Sequence, residues 1–212
     1  MRGGRGFTLT EMLVVIFVLA VLVAIILPKL AAAKRNPRGP WCNANLKEIS
    51  LAFNMWAGDN GDKYPMQVSV TNGGAMELAV AGNVAGIFRV MSNELSTPKV
   101  FVCPQDTSRH YATNFTTDFN NQKISYFVGL DAEKKYPQMI LSGDDNLAVN
   151  GVRVRPGILN LWTNASVGWT KERHGVAGNI ALVDGSTQHP DVSMLQSALV
   201  NTGFATNRLA IP

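Results

Sequence analysis

The sequence is poor in cysteine, in histidine and in charge. Its 212 residues include two cysteines, Cys42 and Cys103, and three histidines, and 16% of the residues are charged. The two cysteines do not form a CxxC pair, which excludes a thioredoxin-like redox motif and a zinc knuckle. A single disulfide suits an exported chain, but the sequence does not report the distance between the thiols, so their pairing stays open.

Motifs of catalytic and nucleotide-binding sites are also missing. No serine lies in a G-x-S-x-G elbow, and neither an HExxH motif nor a P-loop occurs. The net charge is +4, but the basic residues are scattered and no aromatic-rich basic stripe is present, so no nucleic-acid partner is predicted. We therefore expect neither an enzyme nor a cofactor. A small basic group suited to lipid headgroups follows the first 28 residues: Lys29, Lys34, Arg35 and Arg38.

One long hydrophobic run is present at the N-terminus. Phe7 to Leu27 is 21 residues, and as a helix such a run is about 32 Å long, enough to cross the hydrocarbon core of a bilayer. Its first turn contains Glu11. A carboxylate at the centre of a membrane span costs roughly 3 kcal/mol, so the acid needs an explanation.

Three interpretations of this segment compete. It is a plain membrane anchor with Glu11 near the headgroups, or a secretory signal cleaved after the small residues at 31–33, or a segment with a dedicated processing site. The apolar run is long for a secretory signal, and an acid at its start is unusual there.

The stretch "RGFTLTE" resembles the processing site of type IV prepilins and type II secretion pseudopilins. The resemblance implies a leader over residues 1–6, cleavage after Gly6 by a prepilin peptidase, and N-methylation of Phe7. It also places the family's assembly carboxylate at Glu11 and its helix proline at Pro28. In that family the carboxylate neutralises the new terminal amine of a neighbouring subunit, and a buried charge is tolerated when it is paired.

The resemblance further implies where the protein works and with what. We expect a single-pass protein of the bacterial inner membrane, with its head in the periplasm or in an exported filament. Its partners would be the peptidase, other pilin-like subunits, the secretion or pilus assembly platform and membrane lipid. Charge alone favours the opposite orientation, because two arginines precede the span and four basic residues follow it; the orientation rests on the family.

The head is predicted to begin after a break near residues 36–40, where Pro37, Gly39 and Pro40 interrupt the helix. Apolar residues then recur at steps of three and four, which predicts a helix over 41–57 with Cys42 on its buried face. The stripe consists of Leu46, Ile49, Phe53 and Trp56. In the turn that follows, Asp59 and Asp62 resemble part of a calcium loop, but turn chemistry explains them better than a metal site does.

The middle of the chain predicts one more helix and several strands. The helix is expected at 84–95, and "KVFVCP" as a short strand or extended run. The segments "KISYFVGL" and "PQMILSGDDN" are strand candidates, because they are rich in β-branched and aromatic residues and bounded by turn residues. Together they predict an antiparallel sheet packed on the second helix. The tail is predicted to form a short helix between Asp191 and Gly203.

The other informative stretch is "RHGVAGNIALVDGSTQ". "NIALV" is typical of a buried strand, and Asp184-Gly185 predicts a two-residue hairpin turn. Nine residues separate His174 from Asp184, a spacing that resembles the H-X9-DG domain found with prepilin-type N-termini. "CNANLKEISLAF", "FVCPQD" and "ILSGDDN" are similar to the corresponding stretches of that group. A catalytic His174–carboxylate pair lacks a nucleophile, so a structural role for His174, Asp184 and Gly185 is favoured.

The sequence thus predicts an α+β protein with an N-terminal transmembrane helix and a pilin-like head in which a helix packs on an antiparallel sheet. The expected organisation is a leader (1–6), a membrane and juxtamembrane segment (7–36), and an exported head (41–212) with the hairpin near 174–185. The expected function is that of a pseudopilin or pilin subunit. The alternative is an anchored exported protein whose head recognises a glycan or a surface protein.

Overall fold

A computed structural model describes the backbone of residues 8–35 and 39–212, and the side chains of residues 8–26 and 41–212. The described residues divide into two compact units, one formed by the first helix and the other by everything from the second helix onward. The first helix, α1, is Leu9–Arg35 and continues past Pro28. The predicted α+β class is confirmed, since helices and antiparallel sheets follow α1.

The second unit contains four α-helices among the described residues. They are α2 (Gly39–Asp59), α3 (Met76–Val80), α4 (Val84–Val90) and α5 (Val192–Asn201). Helix α2 begins two residues earlier than predicted, because a proline is tolerated in the first turn, where an amide hydrogen has no partner within the helix. Part of the predicted break, residues 36–38, lies outside the described residues.

The strands form two antiparallel sheets. The larger has the order β5-β9-β1-β2-β7-β8 and the smaller the order β4-β3-β6. The strands are β1 (Tyr126–Gly129), β2 (Ile140–Asp144), β3 (Leu147–Val149), β4 (Val152–Arg153), β5 (Gly157–Trp162), β6 (Val167–Trp169), β7 (Ile180–Leu182), β8 (Thr187–Gln188) and β9 (Thr206–Ile211).

The larger sheet is covered on both faces, because successive side chains of a strand point to opposite faces. On β2, Leu141 belongs to the core that includes α2, whereas Ile140 belongs to the core that includes α5 and the smaller sheet. The predicted stripe of α2 is buried: Leu46, Ile49 and Phe53 have no exposed surface. The prediction of a helix packed on an antiparallel sheet is therefore confirmed.

Two predicted elements differ in the structure. The helix expected at 84–95 is α4, which ends at Val90. Beyond it, short-range turns through Ser92 and Asn93 replace the helical hydrogen bonds. The composition of "KVFVCP" predicts an extended segment, but Pro98–Phe101 is a short 3-10 helix. Pro98 presets its backbone angle, and the Thr97 hydroxyl accepts a hydrogen bond from the Lys99 amide at 3.4 Å.

The hairpin between β7 and β8 has a longer loop than predicted. Ala181 pairs with Thr187, and the Leu182 amide donates to the Ser186 carbonyl. The loop therefore contains three residues, 183–185, rather than two. Gly185 has φ +83°, the left-handed conformation with which three-residue loops of this type end. The tail helix α5 is as predicted, with Asp191 accepting a hydrogen bond from the Met194 amide.

Candidate functional site

The first candidate site is the start of α1, where Thr8 and Glu11 form a reciprocal cap. Because Leu9 is the first helical residue, Thr8 is the N-cap and Glu11 is the third residue of the helix. The Glu11 amide donates to the Thr8 hydroxyl at 3.3 Å, while the Thr8 amide and hydroxyl donate to Glu11 Oε2 at 2.8 and 2.7 Å. This arrangement is a capping box. It satisfies both backbone amides and holds the carboxylate at the end of the helix.

From residue 12 to residue 26 the helix is apolar over its whole circumference. Leu9–Ile26 is long and apolar enough to cross a membrane by length and composition, and every side chain of this range is exposed within the chain. A helix that is apolar on all sides requires an apolar surrounding. The predicted processing residues Gly6 and Phe7 lie outside the described residues, and Pro28 lies within α1.

The second candidate site is a buried polar cluster in the head, where several of the sequence motifs meet. Cys42, near the start of α2, forms a disulfide with Cys103, and their Cα atoms are 5.3 Å apart. His174 Nε2 lies 3.2 Å from Cys103 Sγ. The ligand atoms of Cys42, Cys103 and His174 all lie within 4.8 Å of one another. Three motifs that are far apart in sequence therefore meet at one point.

Asp144, at the end of β2, contributes the carboxylate of this cluster. Its Oδ2 lies 3.4 Å from His174 Nε2, and both side chains are fully buried. The same oxygen accepts hydrogen bonds from the backbone amide and the side-chain amide of Asn179, at 2.7 and 2.8 Å. The Asn179 side-chain nitrogen lies 3.2 Å from His174 Nε2. Asn179 thus connects the acid and the imidazole.

Burial sets the protonation of this pair. It raises the pKa of Asp144 to about 6, against the opposing charge of Arg173 and the hydrogen bonds of Asn179. Burial also lowers the pKa of His174 to about 4, helped by the nearby His189 and Arg173. The imidazole is therefore neutral at neutral pH, and so weak a base is poorly suited to general-base catalysis.

A ring of four charged residues borders the cluster. Arg109 donates to Asp106 at 2.8 Å and to Asp145 at 2.7 Å. Arg173 contacts the same two carboxylates, with its Nη1 3.4 Å from Asp106 and its Nη2 hydrogen-bonded to Asp145. Burial opposes ionisation of Asp106, but hydrogen bonds from Ser108 and the charge of Arg173 hold its pKa below the usual range. The ring joins the segment after Cys103 to the end of β2 and to the segment preceding His174.

The remaining predicted residues lie elsewhere. Asp184 accepts a hydrogen bond from the Ser186 amide at 2.8 Å within the hairpin loop, a turn role of the kind predicted. Asp62 has φ +58° and its carboxylate pairs with Lys134 at 2.9 Å. Asp59 is exposed at the end of α2. Neither acid belongs to the group of candidate metal ligands found among the described residues, which is the cysteine–histidine cluster.

Sequence reasoning missed several of these residues. Thr8 carries a local signal, because T-x-x-E before an apolar run is the pattern of a capping box. Asn179, Asp106 and Arg109 carry no such signal, since each has a partner 19 to 36 positions away along the chain. Only the fold brings them together.

Comparisons with known proteins agree with the N-terminal site. Residues 1–27 match the model of the prokaryotic N-terminal methylation motif. The chain is similar to the type IV wide pilus major component PilA4 of Thermus thermophilus, with 37% identity over 60 residues. That match covers 28% of this chain and 46% of the relative, so the chain spans less than half of the length of the curated protein it matches. No solved structure matches the chain.

Proposed function

We propose that this chain is a type IV pilin-like protein that serves as a subunit of a type II secretion or type IV pilus-type filament and is processed between Gly6 and Phe7. The observation that carries the proposal is the position of Glu11 in the first turn of a helix whose residues 12–26 are all apolar. The acid lies inside the matched methylation motif and on the third residue of α1.

Before assembly, the capping box explains how the carboxylate is tolerated. Its oxygen is held by the two Thr8 donors, and the partial positive charge of the helix N-terminus favours an anion in the first turn. Cleavage before Phe7 would create an ammonium group one residue away from Thr8. In a filament, that ammonium group on a neighbouring subunit would pair with Glu11.

Pairing gives the acid a role in assembly. A buried ion pair is costly to break from one side, because the remaining charge is left uncompensated in a medium of low dielectric constant. A misplaced subunit would leave one carboxylate and one amine unpaired. The pair would therefore set the axial register of subunits whose apolar helices would otherwise slide past one another.

The N-terminal mass of the membrane-extracted native protein tests processing. A chain that starts at Phe7 and is heavier by one methyl group supports the proposal. An intact Met1 would indicate a plain anchor, and a start just after residue 33 would indicate a secreted protein. Either of those two results overturns the proposal.

Assembly is tested with Glu11→Gln, because glutamine keeps an acceptor for the Thr8 donors and removes only the charge. We expect the variant to be cleaved and inserted in the membrane but absent from filaments. Glu172→Gln, in the exposed pair with Arg153, is the matched control and should assemble normally. If Glu11→Gln assembles as well as the control, the charge of Glu11 does not drive assembly. If neither the parent nor the control enters filaments, the head would be favoured as an anchored binding module for a glycan or surface protein.

A further inference from the structure

The disulfide and its histidine neighbour place two sulfur atoms and one imidazole nitrogen at a single buried point. Two cysteines and a histidine are a common ligand set for zinc in proteins. We propose that, in the reduced chain, Cys42, Cys103 and His174 bind one divalent cation of the zinc class, so that the metal and the disulfide are alternative states of the same site.

The spacing of the ligand atoms fits this set. With zinc–sulfur and zinc–nitrogen distances of about 2.3 and 2.0 Å, the ligand atoms of a tetrahedral site lie roughly 3.5–3.8 Å apart. Cys103 Sγ and His174 Nε2 are 3.2 Å apart, and all three ligand atoms lie within 4.8 Å of one another. Reduction lets the two sulfur atoms separate to that spacing through small side-chain movements.

The imidazole is already oriented for a metal. Nε2 is the nitrogen that faces the sulfur, and the side-chain amide of Asn179 lies 3.2 Å from it, as a donor to a nitrogen lone pair would. Among the described residues Nδ1 has no hydrogen-bond partner, so Nε2 is the ring nitrogen that contacts the polar atoms of the cluster.

The surroundings supply negative charge without supplying a competing cation. Asp144 Oδ2 lies 3.4 Å from His174 Nε2, and its Oδ1 has no partner among the described atoms. This carboxylate lies beside Nε2, the ligating nitrogen, and therefore places negative charge next to the cation. The neighbouring cation, Arg173, is engaged by Asp106 and Asp145 in the charged ring.

The two states interconvert by a balanced reaction. A chain with two thiols binds Zn²⁺ with release of two protons, because thiolates are the ligands. A disulfide oxidant then accepts two electrons from the thiolates and two protons from solvent, which yields the Cys42–Cys103 bridge, the oxidant's dithiol and free Zn²⁺. A dithiol or phosphine reductant reverses the electron transfer. Zinc itself is not oxidised or reduced.

The test is a titration of the full-length chain in detergent with Zn²⁺, in competition with a chromophoric chelator. The chain reduced with a phosphine should bind one Zn²⁺, and the oxidised chain should bind none. Co²⁺ should give the visible bands of a tetrahedral thiolate site with the reduced chain. A reduced chain that binds no metal overturns the proposal.

Variants distinguish zinc binding by the proposed three-residue site from zinc binding by the two cysteines alone. His174→Ala should lower the zinc affinity by more than tenfold, and Asp144→Asn should lower it by a smaller factor, because it removes only a negative charge beside the cation. The circular dichroism spectrum of each variant should match that of the parent, which reports that the head has folded. His110→Ala, at an exposed position, is the control and should bind as the parent does. Equal affinity of His174→Ala and the parent would overturn the proposal, and His174→Gln repeats the test with a polar side chain.

Discussion

Glu11 and Thr8 cap each other: Glu11 Oε2 accepts hydrogen bonds from the Thr8 amide and hydroxyl, and the Glu11 amide donates to that hydroxyl. The acid that would be costly at the centre of a membrane span is therefore also part of the cap at the start of the helix. The same oxygen would have to exchange its Thr8 contacts, at least in part, for an ammonium group during assembly. In the proposed filament, the cap and the assembly contact would be alternative uses of one carboxylate.

Thr8→Val should loosen the first turn of α1, because it removes the hydroxyl that takes part in two of the three hydrogen bonds of the cap. Valine keeps the β-branched shape. Loss of an N-cap side chain costs about 0.5–2 kcal/mol. Amide hydrogen exchange in detergent should show faster exchange at Glu11. Thr10→Val, the same change two residues further on, should leave the exchange rate unchanged. Equal rates in the two variants would show that the cap does not hold the helix start.

Reduction of the Cys42–Cys103 bridge should destabilise the head in metal-free buffer. The bridge closes a loop with a sequence separation of 61, and a bridge over a loop of that size stabilises by about 2–4 kcal/mol. The measurement is urea unfolding followed by tryptophan fluorescence, with and without reductant. A Cys42→Ser/Cys103→Ser double variant should give the same midpoint under both conditions. If the parent does so too, the bridge does not stabilise the head.

Asp144 and His174 should have opposite effects on stability as the pH changes. The folded pKa of Asp144 is raised to about 6, so its contribution to stability is complete below pH 4 and is lost as the pH rises to 6. The folded pKa of His174 is lowered to about 4, so its contribution is complete above pH 6.5 and is lost as the pH falls to 4. Between pH 4 and 6 the two trends should largely cancel.

Single variants should reveal each trend. With Asp144→Asn, the free energy of unfolding should rise more steeply from pH 4 to 6.5 than in the parent, because the opposing contribution of Asp144 is removed. With His174→Gln, it should rise less or fall between pH 4 and 6 relative to the parent, because the contribution of His174 is removed. Urea unfolding at several pH values measures both slopes. Parallel pH profiles for the two variants would contradict the assignment.

Arg173→Met should destabilise the head strongly, because the guanidinium is buried between Asp106 and Asp145. Removal of one partner from a buried ionic group typically costs about 3–5 kcal/mol. Arg208→Met is the matched control: its pair with Asp131 is at the surface, where the arginine side chain is 52% exposed. Exposed pairs contribute less than about 1 kcal/mol. Similar losses in the two variants, measured by urea unfolding, would show that the charged ring does not stabilise the fold.

Local chemistry made parts of the head predictable. The apolar stripe of α2 identified its buried face, since the period of a helix is visible in the order of residues. Asp191 identified the start of α5, because an aspartate at the N-cap position is also visible in the order of residues. The hairpin position was also predictable, but its loop length was not, because the strand register decides whether Val183 pairs or turns.

Local turn chemistry and distant contacts together decided the elements that were mispredicted. "KVFVCP" has the composition of a strand, yet the Thr97–Pro98 start makes it a 3-10 turn that leads into the disulfide. The apolar periodicity continues to residue 95, beyond the end of α4. In the last turn of α4, Arg89 donates hydrogen bonds to the carbonyls of Phe115 and Phe119. Competition between local preference and distant partners is not visible in one sequence.

The sequence by itself determined the apolar first helix, the acid within it and the methylation motif, because each is a pattern of neighbouring residues. Only the tertiary structure decided that Cys42, Cys103, Asp144 and His174 occupy one buried place. Their positions along the chain carry no information about distance, and the pairing of β2 with β7 together with the packing of α2 on that sheet supplies it. Patterns within a few residues follow from local geometry, whereas sites assembled from four distant segments follow from the fold.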